Sequence, residues 1–205
     1  MSQNNYLQSY CHIQNGKIIS NGNSIPFEEN ISFNEFMKSI YVKLEIDYPK
    51  FYKMDELCKL AFIAAEMLLK KSTTISGENT AIILSNASST LETDLKHQES
   101  IKDVLNYFPS PSTFVYTLPN ITIGEIAIRH KITGENTFFV SEEYDFPFMF
   151  HYTTSLLDKG LANWVLTGWV EFNSSNYNCF ICLVSKDKLG IAIPYTSETI
   201  QTLFK

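Results

Sequence analysis

The stretch whose reading decides the fold is Gly134–Glu171, GENTFFVSEEYDFPFMFHYTTSLLDKGLANWVLTGWVE. It reads as a loop, a buried strand, a short turn, an amphipathic helix, a second loop and a second buried strand. A strand–turn–helix joint is where many α/β enzymes carry a nucleophile. This joint instead offers Glu142, Glu143, Tyr144 and Asp145, with no Cys in the turn.

The same alternation continues outward. Toward the N-terminus, Asn120–His130 has helical spacing, with Gly124 inside it. A glycine there costs up to about 1 kcal/mol relative to alanine and suggests close packing against another backbone. The proline-punctuated PSPSTFVYTLP before it reads as a loop, and LETDLKHQESIKDVLNYF as a polar surface helix. TAIILSNASST is a central strand that ends in small polar residues, Ala87–Thr90, a candidate pocket wall. MDELCKLAFIAAEMLLKK, Met54–Lys71, is the strongest helix. Leu57, Leu60, Ala61, Ala64, Met67 and Leu68 recur at helical spacing, and the segment is apolar on more than one side, as for a helix buried between layers. Ser32 and Glu35 have the spacing of a capping box. YLQSYCHIQNGKIIS is a hairpin about Asn15–Gly16, and at the other end NCFICLVS and GIAIPYT are two strands joined by Lys186–Lys188. The expected architecture is layered α/β/α, with a mainly parallel five-stranded mixed sheet and one antiparallel hairpin at the end.

Composition narrows the function. The 205 residues are 44% hydrophobic and 19% charged, which suits a packed single domain over 1–205. Phe 15 and Tyr 11 are more aromatics than one core of this size needs, a hint of an interface. A net charge of -6 with scattered Lys and Arg argues against nucleic acid. No apolar run approaches the roughly 20 residues of a membrane span. The first residues lack a basic start followed by an apolar run, so no secretory signal is expected and a cytoplasmic location is.

Cys179 and Cys182 form a C-x-x-C inside an apolar strand, where positions i and i+3 face opposite sides. They are expected to be core residues, not metal or redox ligands. His12 on an edge hairpin, His97 on the polar helix, His130 at a helix end and His151 in the helix after Glu143 read as ordinary histidines, and no cofactor is expected.

Three segments resemble β-ketoacyl-acyl-carrier-protein synthases. KFYKMDELCKLAFIAAEMLL is similar to their R-M-D-x-x-x-x-L-A-x-x-A-x-x-x-A-L. PSTFVYTLPNITIGEIAIRHKITGEN is similar to their P-x-x-x-x-N-x-x-x-G-x-x-x-I-x-x-x-x-x-G-P-N, with Asn120, Gly124 and Gly134–Asn136 at the matching places. GLANWVLTGWVE is similar to their G-x-A-D-x-x-x-x-G-G-x-E: Ala162, Gly168 and Glu171 match, while Asn163 and Trp169 depart. Together they span Lys50 to Glu171.

The resemblance implies half of a thiolase-like fold. It also exposes two departures. Counted from Gly134, the family's acyl-carrying Cys falls on Glu143, and a carboxylate holds no stable thioester. The histidine and lysine motifs of the family's second half do not appear in the sequence. Ser141–Glu143, SEE, is similar to the A-E-Q of chain-length factors, the non-catalytic ketosynthase homologues. Truncated relatives of this size accompany ketosynthases in aryl polyene and flexirubin-type pathways.

The implied role is a non-catalytic subunit that forms a heterodimer with a full-length ketosynthase in polyketide, polyene or fatty-acid-type elongation. An acyl carrier protein is a second candidate partner, and a homodimer the alternative for the isolated chain. By the family's pattern, Asn136, Thr137, Phe138, Phe139, Val140 and Ser141 would pair across the dimer, and Phe114, Tyr116 and Leu118 would line the partner's acyl tunnel. Simple core packing is the alternative for those aromatics. Two other functions stay open: a free-standing acyl-chain or carrier-protein binding module, and a divergent hydrolase or transferase using Glu143, Asp145 or a Ser/His pair.

Overall fold

In chain order, β1 runs Tyr6–Gln14, β2 Lys17–Ser20, β3 Asn23–Ile25, α1 Phe33–Lys43, α2 Glu56–Leu69, β4 Thr80–Asn86, α3 Leu91–Ile101, α4 Pro111–Val115, α5 Asn120–His130, β5 Asn136–Val140, α6 Phe146–Asp158, β6 Trp164–Asn173, β7 Asn176–Ser185, β8 Ile193–Pro194 and α7 Ser197–Phe204. The computed structural model describes residues 5–27, 31–70, 75, 77–103, 105, 107–174 and 176–205. Lys71, expected at the end of the second helix, lies outside them.

The architecture is the expected α/β layering around one mixed sheet, but among the described residues the sheet has eight strands, not five. Its order is β3-β2-β1-β7-β6-β4-β5, with β8 beside β1. Parallel pairing is confined to β4 with β5 and with β6. All other pairs are antiparallel, so the sheet is not mainly parallel. The long hairpin is β6–β7, in register from Trp164↔Ser185 to Asn173↔Asn176.

The terminal strands do not form the expected hairpin. Both sides of β7 are already taken, by β6 and β1, so β8 pairs with the start of β1 instead. Gln8, at the irregularity in the β1–β7 register, directs the chain there. Its amide nitrogen donates to Ser185 Oγ (3.0 Å) and to the Asp187 carbonyl, while its Oε1 accepts from Leu189 N (2.8 Å).

Each face of the sheet buries its own core. On one face α1, α2 and α5 cover a cluster that includes Phe36, Phe62, Ile82, Leu166 and Ile181. On the other, α6 and α7 cover Ile83, Val165, Trp169, Phe180 and Val184. Alternation along the strands divides these residues, and it divides the C-x-x-C as well. Cys179 lies in the first core and Cys182 in the second, with both thiols pushed up by burial.

Helix α2 is buried on nearly all sides, as its sequence requires, and Asp55 caps it by accepting from Cys58 N at 2.9 Å. The capping box at Ser32 and Glu35 forms. Two local expectations change. His12 is not on an edge: β1 lies between β2 and β7, and the imidazole is 5% exposed. Gly124 admits no close backbone, since a Cβ added there would meet nothing within 4 Å. Close approaches fall instead at other glycines, among them Gly134, where a Cβ would lie 2.2 Å from the Thr80 carbonyl oxygen.

Candidate functional site

Strand β4 is central to the parallel part of the sheet, with β5 on one side and β6 on the other. The chain leaves β5 through α6 and returns as β6. In open α/β sheets the crevice at the carboxyl ends of such strands is the usual ligand position. Two short loops meet there: 87–90 after β4, and 141–145 after β5.

Side chains that fold back on the backbone shape the second loop. Ser141 N donates to the Asn86 carbonyl (2.9 Å) and extends the β4–β5 ladder by one bond. Ser141 Oγ donates to the Glu143 carbonyl (2.8 Å) and tightens the turn. Asp145 Oδ1 then accepts from Phe148 N (2.9 Å) and starts α6, with a proline in its first turn.

Of the four residues singled out in this turn, Tyr144 alone points inward. It is 4% exposed and packs on Phe146, Trp169 and Phe204. Burial drives its phenol well above the usual range. Glu142, Glu143 and Asp145 are exposed. The loop therefore sets one aromatic anchor inside and three carboxylates outside, near the positive end of a helix.

Glu171 holds the other loop. Its Oε2 accepts from Ala87 N (2.7 Å) and Ser88 N (3.2 Å). Asn86 closes the turn from beneath: Oδ1 accepts from Ser89 N (3.0 Å), and Nδ2 donates to the Ser89 carbonyl (2.7 Å). Ser89 takes φ 51 to do so, and Thr90 Oγ1 donates to the Thr117 carbonyl (2.8 Å). The Ala87–Thr90 segment is thus a rigid shelf at the end of β4. Glu171, known from sequence only as a matching position, is its splint.

The three residues expected at the tunnel part company. Phe114 and Leu118 are 57% and 50% exposed, whereas Tyr116 is 7% exposed. Tyr116 donates to Glu125 Oε1 (3.2 Å), and Lys50 Nζ pairs with the same oxygen at 2.8 Å. Burial first, then the Glu125 charge, raise the Tyr116 phenol. Tyr116 is a brace between its loop and α5. Phe114 sits at the surface beside His97, with ring centroids 5.4 Å apart.

The six residues expected to pair across a dimer run along the β5 side of the sheet, and β5 is its edge strand. Ile82 N donates to the Glu135 carbonyl, and Ser141 N to that of Asn86. Odd-numbered backbone groups therefore face β4, and Asn136, Phe138 and Val140 turn theirs outward. Phe138 packs against the first core and Phe139 against the second. Val140 is 56% exposed. Phe139 also meets Phe148 and Tyr152, at 4.9 Å and 5.4 Å between ring centroids.

The histidines do not converge on the crevice. His12 Nε2 is 2.8 Å from Asn178 Oδ1. His130 Nε2 is 3.0 Å from Glu66 Oε1, which also accepts from Arg129 Nε (2.9 Å). Burial opposes ionisation of Glu66, but those two partners outweigh it and hold the carboxyl below its usual range. The Glu66 and Glu125 networks were missed in the sequence. The available signal was a single carboxylate inside each of two apolar helical runs, AAEMLL and IGEIAI. Among the described residues no cluster of three or more His, Cys, Asp or Glu could hold a metal ion, and no helix is long and apolar enough to cross a membrane.

The fold is the thiolase-like fold of ketosynthases. The ishigamide ketosynthase/chain length factor superposes with a TM-score of 0.69 at 17% identity, over 93% of this chain. The ketosynthase ApeO in complex with its chain length factor ApeC, from Xenorhabdus doucetiae, gives 0.63 at 15% identity, over 90% of this chain and 79% of that one. The type II acyl-carrier protein complex AntDE:AntF, with its ketosynthase bound to the hexaketide, gives 0.60 at 13% identity, over 90% of this chain and 63% of that one. The chain spans 64% of the length of the ishigamide structure it matches. No protein-family model and no curated protein matches it in sequence.

Proposed function

We propose that this chain, as one ketosynthase N-terminal-like domain over 1–205, is a non-catalytic subunit of the chain-length-factor type. It would pair with a full-length ketosynthase in polyketide or polyene chain building. One observation carries the reading: on a ketosynthase fold, the strand-to-helix turn that would hold the acyl-carrying thiol holds an exposed Glu143. The four cysteines of the sequence are all buried, and none lies in that turn. The free β5 edge, Asn136–Ser141, is the surface we assign to the partner. Phe114, on α4 where the sequence suggested a loop, and Leu118, just after that helix, are exposed and are the candidates to reach its tunnel, with Tyr116 at the helix end positioning them.

Co-expression with a full-length ketosynthase from the same organism tests the reading. The expected result is a stable complex that condenses acyl and malonyl carrier-protein substrates, while this chain alone gives no condensation product. Independent purification of the two chains, or condensation by this chain alone, would falsify it.

A further inference from the structure

We propose that the β5 edge is built to refuse a second copy of its own chain and to accept a strand of a different chain flanked by basic residues. This rests on the reading of β5 as the pairing edge and adds which partner that edge selects.

The edge is attractive along its length. Asn136, Phe138 and Val140 present unpaired backbone groups toward solvent, and Val140 adds exposed apolar surface. Nothing in the middle of the strand is charged. Such an edge pairs with whatever extended segment fits, so selectivity has to come from its ends.

Both ends are acidic. Glu135 precedes the strand, Glu142 and Glu143 follow it, and all three are exposed. Tyr152 donates a hydrogen bond to Glu135 Oε1, which fixes that carboxylate beside the strand entry. The nearest lysine before the strand, Lys131, follows α5, and its carbonyl backs onto Gly77, three residues ahead of β4.

A two-fold axis makes self-pairing antiparallel, so each chain's strand entry meets the other's exit. If Phe138 faces itself, Glu135 lies opposite Ser141 of the second copy, one residue from its Glu142. The register shifted so that Phe139 faces itself sets Glu135 directly against Glu143. Either way three carboxylates from each chain gather at the two ends of one short ladder. Like charges opposite one another destabilise a strand pair, and opposite charges stabilise it. A partner with lysines or arginines at both strand ends turns each repulsion into an attraction. The specificity element is therefore repulsive as well as attractive.

Two hairpin peptides of alternating Thr and Val test this on the full chain, one ending in paired lysines and one in paired glutamates. The lysine peptide is expected to bind about tenfold or more tighter, the charged ends being the difference, with the gap narrowing in high salt and binding of both lost in Val140→Pro. In sedimentation the native chain is expected to be monomeric, and the triple variant Glu135→Gln, Glu142→Gln, Glu143→Gln to dimerise. Equal binding of the two peptides overturns the charge selection and leaves β5 as the pairing edge. So does a native dimer that Val140→Pro dissociates, or a triple variant that stays monomeric. Binding of neither peptide overturns the pairing edge itself.

Discussion

The two edges of the sheet are made differently. At one end β3 has three residues, Asn23–Ile25, two of them exposed and polar, and Pro26 follows. A short, polar, proline-ended strand offers little for another chain to extend. At the other end β5 has five residues, NTFFV, with three outward-facing backbone positions and an exposed valine. The β5 edge, left open and apolar, is the one proposed above for a partner. The difference also shows how the β5 edge is held in place. Gly134 lets the strand enter against Thr80, Ser141 ties its exit to Asn86, and Phe138 and Phe139 root it in both cores.

The largest expected effect comes from spoiling the open edge. Val140→Pro removes an outward N–H and is expected to abolish the complex with the ketosynthase in pull-down. Ser24→Lys on the blunted edge should leave the complex intact; equal loss from both would erase the distinction between the edges. Next is the strand entry. Gly134→Ala forces a Cβ against the Thr80 carbonyl and is expected to cost about 1–3 kcal/mol in chemical denaturation, with β5 amides exchanging first. An unchanged midpoint would mean that β5 is not held by this contact.

A third effect falls on the blunted side. Burial lowers the His12 pKa, against the bond to Asn178 that raises it. A depressed folded pKa means that stability is fully present above the unfolded value, near 6.5, and is lost as pH falls through the folded value. Acidification from neutral pH should therefore loosen β1, β2 and α7, whose Phe204 stacks on His12, before it loosens β5. Hydrogen exchange at the two pH values reads this out, and His12→Gln should remove the pH dependence. The smallest effect is Gly124→Ala on α5. With nothing within 4 Å of the new Cβ, it should stabilise by up to about 1 kcal/mol, raising Tm by roughly 2–4 °C. A loss of stability would mean that Gly124 has a packing role the isolated fold does not show.

Much of this was legible in the sequence because it is local. Helical spacing marked α2 and α5, the Ser32–Glu35 box marked the start of α1, and alternation sent Cys179 and Cys182 to opposite cores. The turn after β5 was legible too, and with it the place of Glu143. Strand pairing was not. Nothing in GIAIPYT says that it will join β1, because the reason lies far away: β7 is occupied on both sides, and Gln8 captures the connecting loop. His12 read as an edge residue for the same cause, since β7 returns to cover β1 from more than 160 positions along the chain.

The sequence alone determined the alternation of elements, the buried central helix and a strand–helix turn that carries carboxylates and no Cys. The first two follow from periodicity, and the third is read directly from the residues. Tertiary structure decided which strands meet, which edge stays open, and that Tyr144 turns inward while Glu142 and Glu143 face solvent. It also made Tyr116 a brace on Glu125, while Phe114 and Leu118 stayed exposed. These outcomes depend on which segments compete for the same hydrogen-bonding edge and the same core volume, and that competition is settled only when the whole chain packs.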